Sequence, residues 1–142
     1  MTKTEYLNQA YYLDKQIKRD TTHIETLRAL ADSVPSPSFG EHIGGSRSFE
    51  APFVRTLERI WEKEADLQRS LNKLFDLKDE ISKVIDTLEN KDEALVLTYR
   101  YLFFFKMEDI AAEMHISMSS VKRWHRSAIK NLIIPEELLK NS

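Results

Sequence analysis

The stretch Met107–Leu132, MEDIAAEMHISMSSVKRWHRSAIKNL, predicts a helix-turn-helix. Two short helices that cross at a steep angle leave space for only a small side chain at their closest approach. Ala111, the fifth residue of the stretch, is expected at this point. The apolar side of the first helix and of the turn comprises Ile110, Met114 and Ile116. The ninth position normally holds glycine because the chain there adopts a positive φ; here it is His115, at a predicted cost of about 1 kcal/mol.

The second helix of this motif is expected to begin after Ser117, an N-cap residue whose hydroxyl can accept a hydrogen bond from the amide of Ser119 or Ser120. Val121 and Trp124, three residues apart, are expected to face inward. The opposite face is polar and basic, and comprises Ser119, Ser120, Lys122, Arg123, Arg126, Ser127 and Lys130. A helix that carries charge of one sign opposite a small apolar core is what a DNA major groove accommodates.

The positive charge of the chain is concentrated on this second helix. The whole sequence has 21 Lys and Arg against 23 Asp and Glu, a net charge of −2. Residues 117–134 contain four basic residues and no acidic one, whereas residues 1–90 have a balance of −3. Because a polyanion responds to the local distribution of charge, we expect nucleic-acid contact at this helix and not over the whole surface.

Length and composition indicate a folded chain with no membrane contact. Its 142 residues, 42% hydrophobic and 31% charged, suit one medium domain or two small ones. No apolar run approaches the length that spans a bilayer, and the N-terminus lacks the core of a signal peptide. The absence of cysteine excludes disulfides and thiolate zinc sites, and fits a reducing cytoplasm.

Residues 1–90 are predicted to form a long antiparallel helical hairpin, a coiled coil. Its first helix runs from about residue 4 to 33 and its second from about residue 48 or 51 to 89, each with apolar residues at alternating spacings of three and four. Between them, residues 34–51 contain all three glycines and predict a long loop. The two seams comprise Tyr6, Ala10, Leu13, Ile17, Asp20, Ile24, Leu27 and Ala31, and Leu57, Ile60, Glu64, Leu67, Leu71, Leu74, Lys78, Ile81, Ile85 and Leu88.

Apolar residues outside these seams predict self-association, with a dimer favoured, because a lone two-helix hairpin buries little surface. These residues are Phe53, Trp61, Phe75, Leu77 and Val84.

The predicted fold is therefore all-α: the helical hairpin, followed in residues 91–142 by a small helix-turn-helix domain. A third helix is expected over residues 91–104. The run Phe103–Phe105 is expected to pack into the small C-terminal core and the turn that leads to the first motif helix. The tail from Pro135 to Leu139 is expected to add one more helical turn.

The segment LVLTYRYLFFFKMEDIAAEMHISMSSVKRWHRSAIKNL resembles region 4 of bacterial sigma factors. The matching residues are Leu97, Arg100, Tyr101, Asp109, Ile110, Ala111, Ser117, Val121, Lys122, Arg123, Ala128 and Leu132. With the stretches LRALADSV and GGSRSF, and with His125 in RWHRSAIKNL, the whole chain is similar to the ArpU-like and RinA-like late-gene regulators of phages that infect Gram-positive bacteria. This resemblance implies a DNA-binding transcription regulator of sigma region 4 type, acting at a phage promoter in the bacterial host cytoplasm, with RNA polymerase as a further partner.

A recognition helix presents its first turns to base edges, so the site can be assigned by position. Base contacts are expected from Met118, Ser119, Lys122, Arg123 and Arg126, at positions that match the exposed ones of the sigma-like helix. Phosphate contacts are expected from Lys106, Ser117, Ser120 and Lys130. The partner is double-stranded DNA, and no cofactor or metal is expected.

Other functions find less support in the residues. The four histidines, His23, His42, His115 and His125, lack metal-ligand spacing, and no hydroxyl has an evident base, so no enzymatic activity is expected. The glycines near residue 44 lack the GxxxxGK[ST] spacing of a phosphate loop. Two alternatives stay open: an adaptor that binds RNA polymerase without reading DNA, and a small terminase-like packaging protein, although such proteins usually place the DNA-binding motif first.

Overall fold

The structure is a computed structural model that describes residues 1–33 and 46–140. The described residues form six α-helices and contain no β-strand, which confirms the predicted all-α fold. The helices are α1 (Lys3–Ser33), α2 (Ser46–Ile85), α3 (Lys91–Tyr101), α4 (Met107–Met114), α5 (Met118–Asn131) and α6 (Glu136–Leu139). Within this described part, no helix is long and apolar enough to cross a membrane. Most of the predicted loop, residues 34–45, and with it the question of a phosphate loop, lies outside the described residues.

The ends of α2 and α3 differ from the predicted ones. α2 begins at Ser46, so residues 46–51 of the predicted loop are helical and Pro52 lies beyond the first turn. α2 ends at Ile85 and not at residue 89, and the chain then reverses through short turns. Asn90 is the N-cap of α3, and its side-chain oxygen accepts from the amides of Asp92 and Glu93 at 3.0 and 3.2 Å.

The chain forms two compact units. The helix-turn-helix unit comprises Met1–Asp14 and Lys73–Ser142, and the hairpin unit comprises Lys15–Asn72. The helix-turn-helix unit thus contains the first part of α1 and the last part of α2 as well as residues 91–142. As a border between independently folding domains, the boundary at residue 90 stays a prediction.

In the helix-turn-helix unit, the first turns of α1 are anchored by non-local contacts. Tyr6 and Leu7 are buried, and the Tyr6 hydroxyl donates to Glu80 at 2.8 Å. The Lys3 ammonium donates to the main-chain oxygens of Ile129 and Lys130 at 3.0 and 3.3 Å. These carbonyls belong to the last turn of α5. Carbonyl groups at the end of a helix have no amide partner within the helix, and they carry the negative end of the helix dipole.

In the hairpin unit, the later part of α1 packs on α2. Ile24, Ala31 and Ile60 are buried together, with Leu27 and Leu67 against them, which confirms these five seam positions. Outside this cluster, Arg28 of α1 forms a salt bridge with Glu64 of α2. Both side chains are more than one-third exposed, so we assign the stability of this unit to apolar burial and little of it to the ion pair.

The hydrogen bonds from Lys3 to the last carbonyls of α5 provide a test of the link between α1 and α5. Replacing Lys3 with Gln removes the ammonium from the α5 carbonyls, and we expect the free energy of unfolding to fall by about 1 kcal/mol. Urea denaturation followed by circular dichroism measures this. Lys140→Gln removes the same charge from an exposed side chain just after α6 and serves as the control. Equal effects of the two substitutions would contradict the capping role.

Candidate nucleic-acid interface

Three helices enclose the core beneath the candidate DNA-binding face. Val96 of α3, Ile110 and Ala111 of α4, and Val121 of α5 are buried in one cluster. The side chains packed around this cluster are Tyr99, Phe105, Met107, Met114, Ile116 and Trp124. Every position that the sequence assigned to the inner side of the motif, from Ile110 to Trp124, therefore lies in or against this core. Ala111 permits the approach of α4 to α5 because its side chain is a single methyl group.

The turn after α4 has a left-handed residue where the sequence predicts one. His115 has φ 56° and ψ 44°, and the Ile116 amide donates to the Ala111 carbonyl at 3.1 Å. The His115 amide points to the Ala112 carbonyl at 3.4 Å, which completes a Schellman-type helix end. Histidine tolerates the left-handed region better than most residues, so the turn forms without glycine at a modest energetic cost.

The start of α5 is defined by Ser117. Its main chain is extended, with φ −73° and ψ 156°, and its Oγ accepts from the Ser120 amide at 3.1 Å, as predicted. The same hydroxyl lies 3.1 Å from Ser119 Oγ and donates to Ser120 Oγ at 2.9 Å. The three hydroxyls thus satisfy one another at the first turn of α5, at the positive end of the helix dipole.

The outward face of α5 displays the residues predicted to read bases. Met118 is 40% exposed, and the other four are also exposed: Ser119, Lys122, Arg123 and Arg126. Spacings of three and four place the last four on one side of the helix. Within the described parts of the chain, none of the three cations forms a salt bridge, so all three are available to an anionic ligand. Their roles at DNA stay a prediction.

The residues predicted to contact phosphates lie at the start of α4 and at the two ends of α5. Lys106 precedes α4 and is exposed, and Lys130 is exposed in the last turn of α5. Ser117 is exposed and Ser120 is half-buried, and both take part in the hydroxyl group described above. Lys106 and Lys130 are free to reach phosphates as they stand, whereas Ser117 and Ser120 would have to exchange an internal hydrogen bond for an external one.

The helix before the turn carries the opposite charge. Glu108, Asp109 and Glu113 of α4 are exposed, and α4 has no basic residue. Asp109 has a structural role, since its Oδ2 accepts from the Lys106 amide at 3.1 Å. Acids in a first turn stabilise a helix through its dipole, but they repel phosphates. The exposed cations of the helix-turn-helix itself are consequently those of α5 and Lys106.

Sequence reasoning missed the carboxylate that holds the far side of α5. Glu93 of α3 is buried, 6% exposed, and accepts from Ser127 Oγ at 2.5 Å and from Asn131 Nδ2 at 3.3 Å. The sequence places Ser127 on the outward face, but its side chain points to α3. Because Glu93 lies 34 residues before Ser127, no local pattern links the two residues.

A second pair of side chains, Tyr101 of α3 and His125 of α5, joins the two helices, and its hydrogen bond depends on the protonation state of the histidine. The Tyr101 hydroxyl and His125 Nε2 are 2.7 Å apart, and in the tautomer with the proton on Nδ1 the ring nitrogen accepts from the hydroxyl. Burial, with a smaller contribution from Arg100, lowers the pKa of His125. Burial raises the pKa of Tyr101. The folded state therefore favours a neutral imidazole beside a neutral phenol.

The three consecutive phenylalanines separate into different environments, which corrects the expectation that all three pack into the core. Phe105 joins the core and stacks on Tyr99, with ring centroids 5.3 Å apart. Phe104 has φ 61° and contacts the Tyr11 ring, with the Lys78 ammonium 4.7 Å from its ring centre. Phe103 is 55% exposed, because α3 ends at Tyr101 and the chain turns before this side chain can face inward.

Together, the fold and the face of α5 define an all-helical protein with a helix-turn-helix whose second helix presents a basic surface. Residues 54–133 match the family DUF1492, described as a protein of unknown function, and the chain belongs to this family. The match covers most of α2 and all of α3 to α5. No curated protein matches the chain, and no solved structure matches it.

Because His115 has a left-handed conformation, we predict the order of stability of variants at this position. We expect His115→Val to lower the free energy of unfolding by about 1–2 kcal/mol, because a β-branched side chain is strained at φ 56°. His115→Asn should equal or exceed the wild type in stability. Ala112→Val, at an exposed right-handed position of α4, controls for helix propensity and should cost about 0.7 kcal/mol or less. Urea titrations give the order, and a His115→Val protein as stable as the wild type would refute it.

His125 predicts a loss of stability in mild acid. Its folded-state pKa is lowered, so the unfolded chain binds the proton more tightly, near the ordinary pKa of about 6.5. The contribution of His125 is complete above that value and is lost as the pH falls below it. We expect unfolding free energies, measured in urea on both sides of this pH, to fall less in His125→Gln than in the wild type. His23→Gln, at an exposed site, should retain the full decrease; an undiminished decrease in His125→Gln would exclude this role.

Proposed function

We propose that the protein is a sequence-specific DNA-binding transcription regulator that places α5 in the major groove. By its resemblance to the ArpU-like and RinA-like regulators and to sigma region 4, we assign it to activation of phage late genes in the bacterial host cytoplasm. Base edges are read by Met118, Ser119, Lys122, Arg123 and Arg126, and phosphates are held by Lys106, Ser117, Ser120 and Lys130.

One observation carries this proposal: the cations of α5 face outward and form no salt bridge with any residue that the structure describes, while the opposite side of the helix is buried. Val121 lies at 0% exposure in the core, and Lys122, Arg123 and Arg126 are exposed. A helix held on one side and cationic on the other meets both requirements of groove binding, rigid orientation and charge complementarity. In this proposal Arg123 or Lys122 donates two hydrogen bonds to a guanine edge, and Met118 contacts a thymine methyl group.

The electrostatic strength of one such face is modest. Four cations that neutralise about four phosphates give a slope of roughly −3.6 for the logarithm of affinity against the logarithm of salt concentration. A single unit would then bind weakly at physiological salt. Two recognition helices joined in a dimer bind two half-sites, and the second contact benefits from a high effective concentration. We therefore include a homodimer, formed through the long helices, in the proposed function.

A second candidate is an adaptor that binds RNA polymerase without reading DNA. It is favoured by two exposed apolar side chains on the helix-turn-helix unit: Leu95 is 38% and Phe103 55% exposed, and the Phe103 ring lies 5.8 Å from that of Tyr99, one turn of α3 after Leu95. Charge reversal at Lys122 and Arg123 distinguishes the candidates in a promoter-reporter assay. Loss of the transcriptional effect supports DNA reading, and an unchanged effect supports the adaptor.

Selection of bound sites from random duplex DNA tests the proposed function directly. The purified wild-type protein should enrich a defined motif, and Arg123→Ala should remove the preference at one base position and weaken binding about 10- to 100-fold, as expected for loss of a bidentate guanine contact. Lys140→Ala removes a cation from the end of α6 and should leave the motif intact. No enrichment at moderate salt, or the same motif from the Arg123 variant, would count against base reading by α5.

A further inference from the structure

The last two turns of α5 are attached to α3 through a group of polar side chains. The two carboxylate oxygens of Glu93, a residue only 6% exposed, accept from Ser127 Oγ at 2.5 Å and from Asn131 Nδ2 at 3.3 Å. Asn131 Nδ2 also donates to Ser127 Oγ at 3.4 Å, which closes the group. Because Ser127 and Asn131 are one helical turn apart, one residue of α3 holds the same side of two successive turns. These three residues are called here the Glu93 contact.

The α3 side of the Glu93 contact is itself held in place. Glu93 lies in the first turn of α3, and its main-chain amide donates to the side-chain oxygen of Asn90 at 3.2 Å. The positive end of the helix dipole at this turn favours a carboxylate, so the buried charge is stabilised where it stands. With both oxygens engaged and the main chain capped, Glu93 is a fixed point against which α5 is aligned.

We propose that Glu93 is a positioning residue for base reading: through Ser127 and Asn131 it sets the tilt of α5 against α3. The inference rests on the proposed function, because it concerns the geometry with which the outward face of α5 enters a groove. Glu93 acts through the end of the helix, since its own side chain is buried on the side away from that face.

Apolar packing alone determines this tilt less sharply. Val121 and Ala128 are fully buried, so the core determines which side of α5 faces inward. Hydrophobic contacts are non-directional, whereas a hydrogen bond to a carboxylate is short and depends on angle. The core therefore sets the rotation of α5 about its axis, and the Glu93 contact restricts how far its end can move.

The length of α5 makes a small tilt important. From Met118 to Ser127 the helix rises about 14 Å, so a tilt of about 5° displaces one end relative to the other by roughly 1 Å. A binding site must hold its side chains within about 0.5 Å of the productive geometry. The attraction between a cation and a phosphate falls only slowly with distance. A tilt should therefore reduce discrimination between base sequences more than the overall attraction to DNA.

Other contacts keep α5 attached when the Glu93 contact is broken. The Tyr101 hydroxyl lies 2.7 Å from His125 Nε2, which is about 200° round α5 from Ser127. Leu132, directly after α5, is fully buried. Loss of the Glu93 contact should consequently shift the end of α5 without unfolding the helix, so its effect can be measured in a folded protein.

An exchange of donor and acceptor across the contact tests the inference in the full-length protein. Asn131→Asp places a second carboxylate against Glu93, and the two repel each other. In the double variant E93Q/N131D the glutamine amide can donate to the new carboxylate while its oxygen accepts from Ser127, and the net charge equals that of the wild type. E89Q/N131D is the matched control: Glu89 is exposed and lines the same pocket as Glu93 and Asn131, so the net charge is again unchanged but position 93 keeps its carboxylate.

The measured quantity is the ratio of two affinities, for the motif that the wild type selects and for a scrambled duplex, at one salt concentration. We expect Asn131→Asp to lower this ratio about tenfold or more, as for one lost base contact. E93Q/N131D should return it to within about threefold of the wild type, and E89Q/N131D should not. An added charge that only repelled DNA would weaken both duplexes alike. A ratio unchanged by Asn131→Asp, or restored by neither or by both double variants, would overturn the proposal.

Amide hydrogen exchange, followed by NMR, provides a readout that needs no DNA. The amides of residues 128–132 should exchange about tenfold faster in Asn131→Asp, while those of residues 121–124 keep their rates. E93Q/N131D should restore slow exchange. E89Q/N131D should remain fast, which separates the Glu93 contact from the cost of a negative charge at a helix C-terminus. Unchanged exchange in Asn131→Asp, or equal acceleration along the whole of α5, would contradict a contact that fixes the end of the helix.

The two readouts distinguish failure of this inference from failure of the proposed function. A wild type that prefers no DNA motif would remove the proposed function, and the exchange pattern would still decide whether Glu93 fixes the end of α5. A wild type that selects a motif, with an affinity ratio unaffected by Asn131→Asp, would retain DNA reading and remove the positioning role of Glu93.

Discussion

The orientation of α5 depends on the apolar packing beneath it. Val121 is fully buried against Val96, Ile110 and Ala111, and this contact determines which way every other residue of the helix points. If α5 rotated about its axis by the angle between consecutive residues, about 100°, Lys122 would enter the core and Val121 would be exposed. Burying this unpaired charge would cost more free energy than a surface interaction could offset. The outward cationic face is therefore a consequence of a core built on small and branched side chains, with Ala111 setting how closely α4 and α5 approach.

Periodicity and capping chemistry were sufficient to predict most of this local structure. Ser117, His115 and the buried positions of α4 and α5 follow from rules that involve residues three or four apart, and the structure agrees with each. The contacts that were missed join distant residues: Glu93 with Ser127, and Lys3 with the carbonyls at the end of α5, 126 and 127 residues away. A pattern confined to one helix contains no information about which polar group a neighbouring helix will supply. For the same reason, the roles of the outward residues remain predictions, because a ligand is a separate molecule that the pattern of one helix does not describe.

Two residues with side chains occupy backbone conformations that favour glycine, and they are stabilised in different ways. His115, at φ 56°, relies on the tolerance of histidine and on the Schellman hydrogen bonds. Phe104, at φ 61°, obtains compensation from its ring, which packs on Tyr11 and lies beneath the ammonium of Lys78. Local strain of about 1–2 kcal/mol is comparable to one aromatic contact together with one cation–π contact. Through Phe104, the strained turn after α3 thereby contacts both long helices within the helix-turn-helix unit.

The distribution of charge restricts how a polyanion can approach this unit. The net charge of the chain is −2, and α4, which precedes α5, carries three exposed acids and no basic residue. Glu108 and Asp109 are placed where they stabilise the first turn of α4 through its dipole, so they contribute to folding while they repel phosphates. A uniformly basic domain would bind duplex DNA in many orientations and slide between them without selection. For the proposed function, an attraction limited to α5 and Lys106 implies weak non-specific binding, so useful affinity would depend on base contacts and on pairing of two copies.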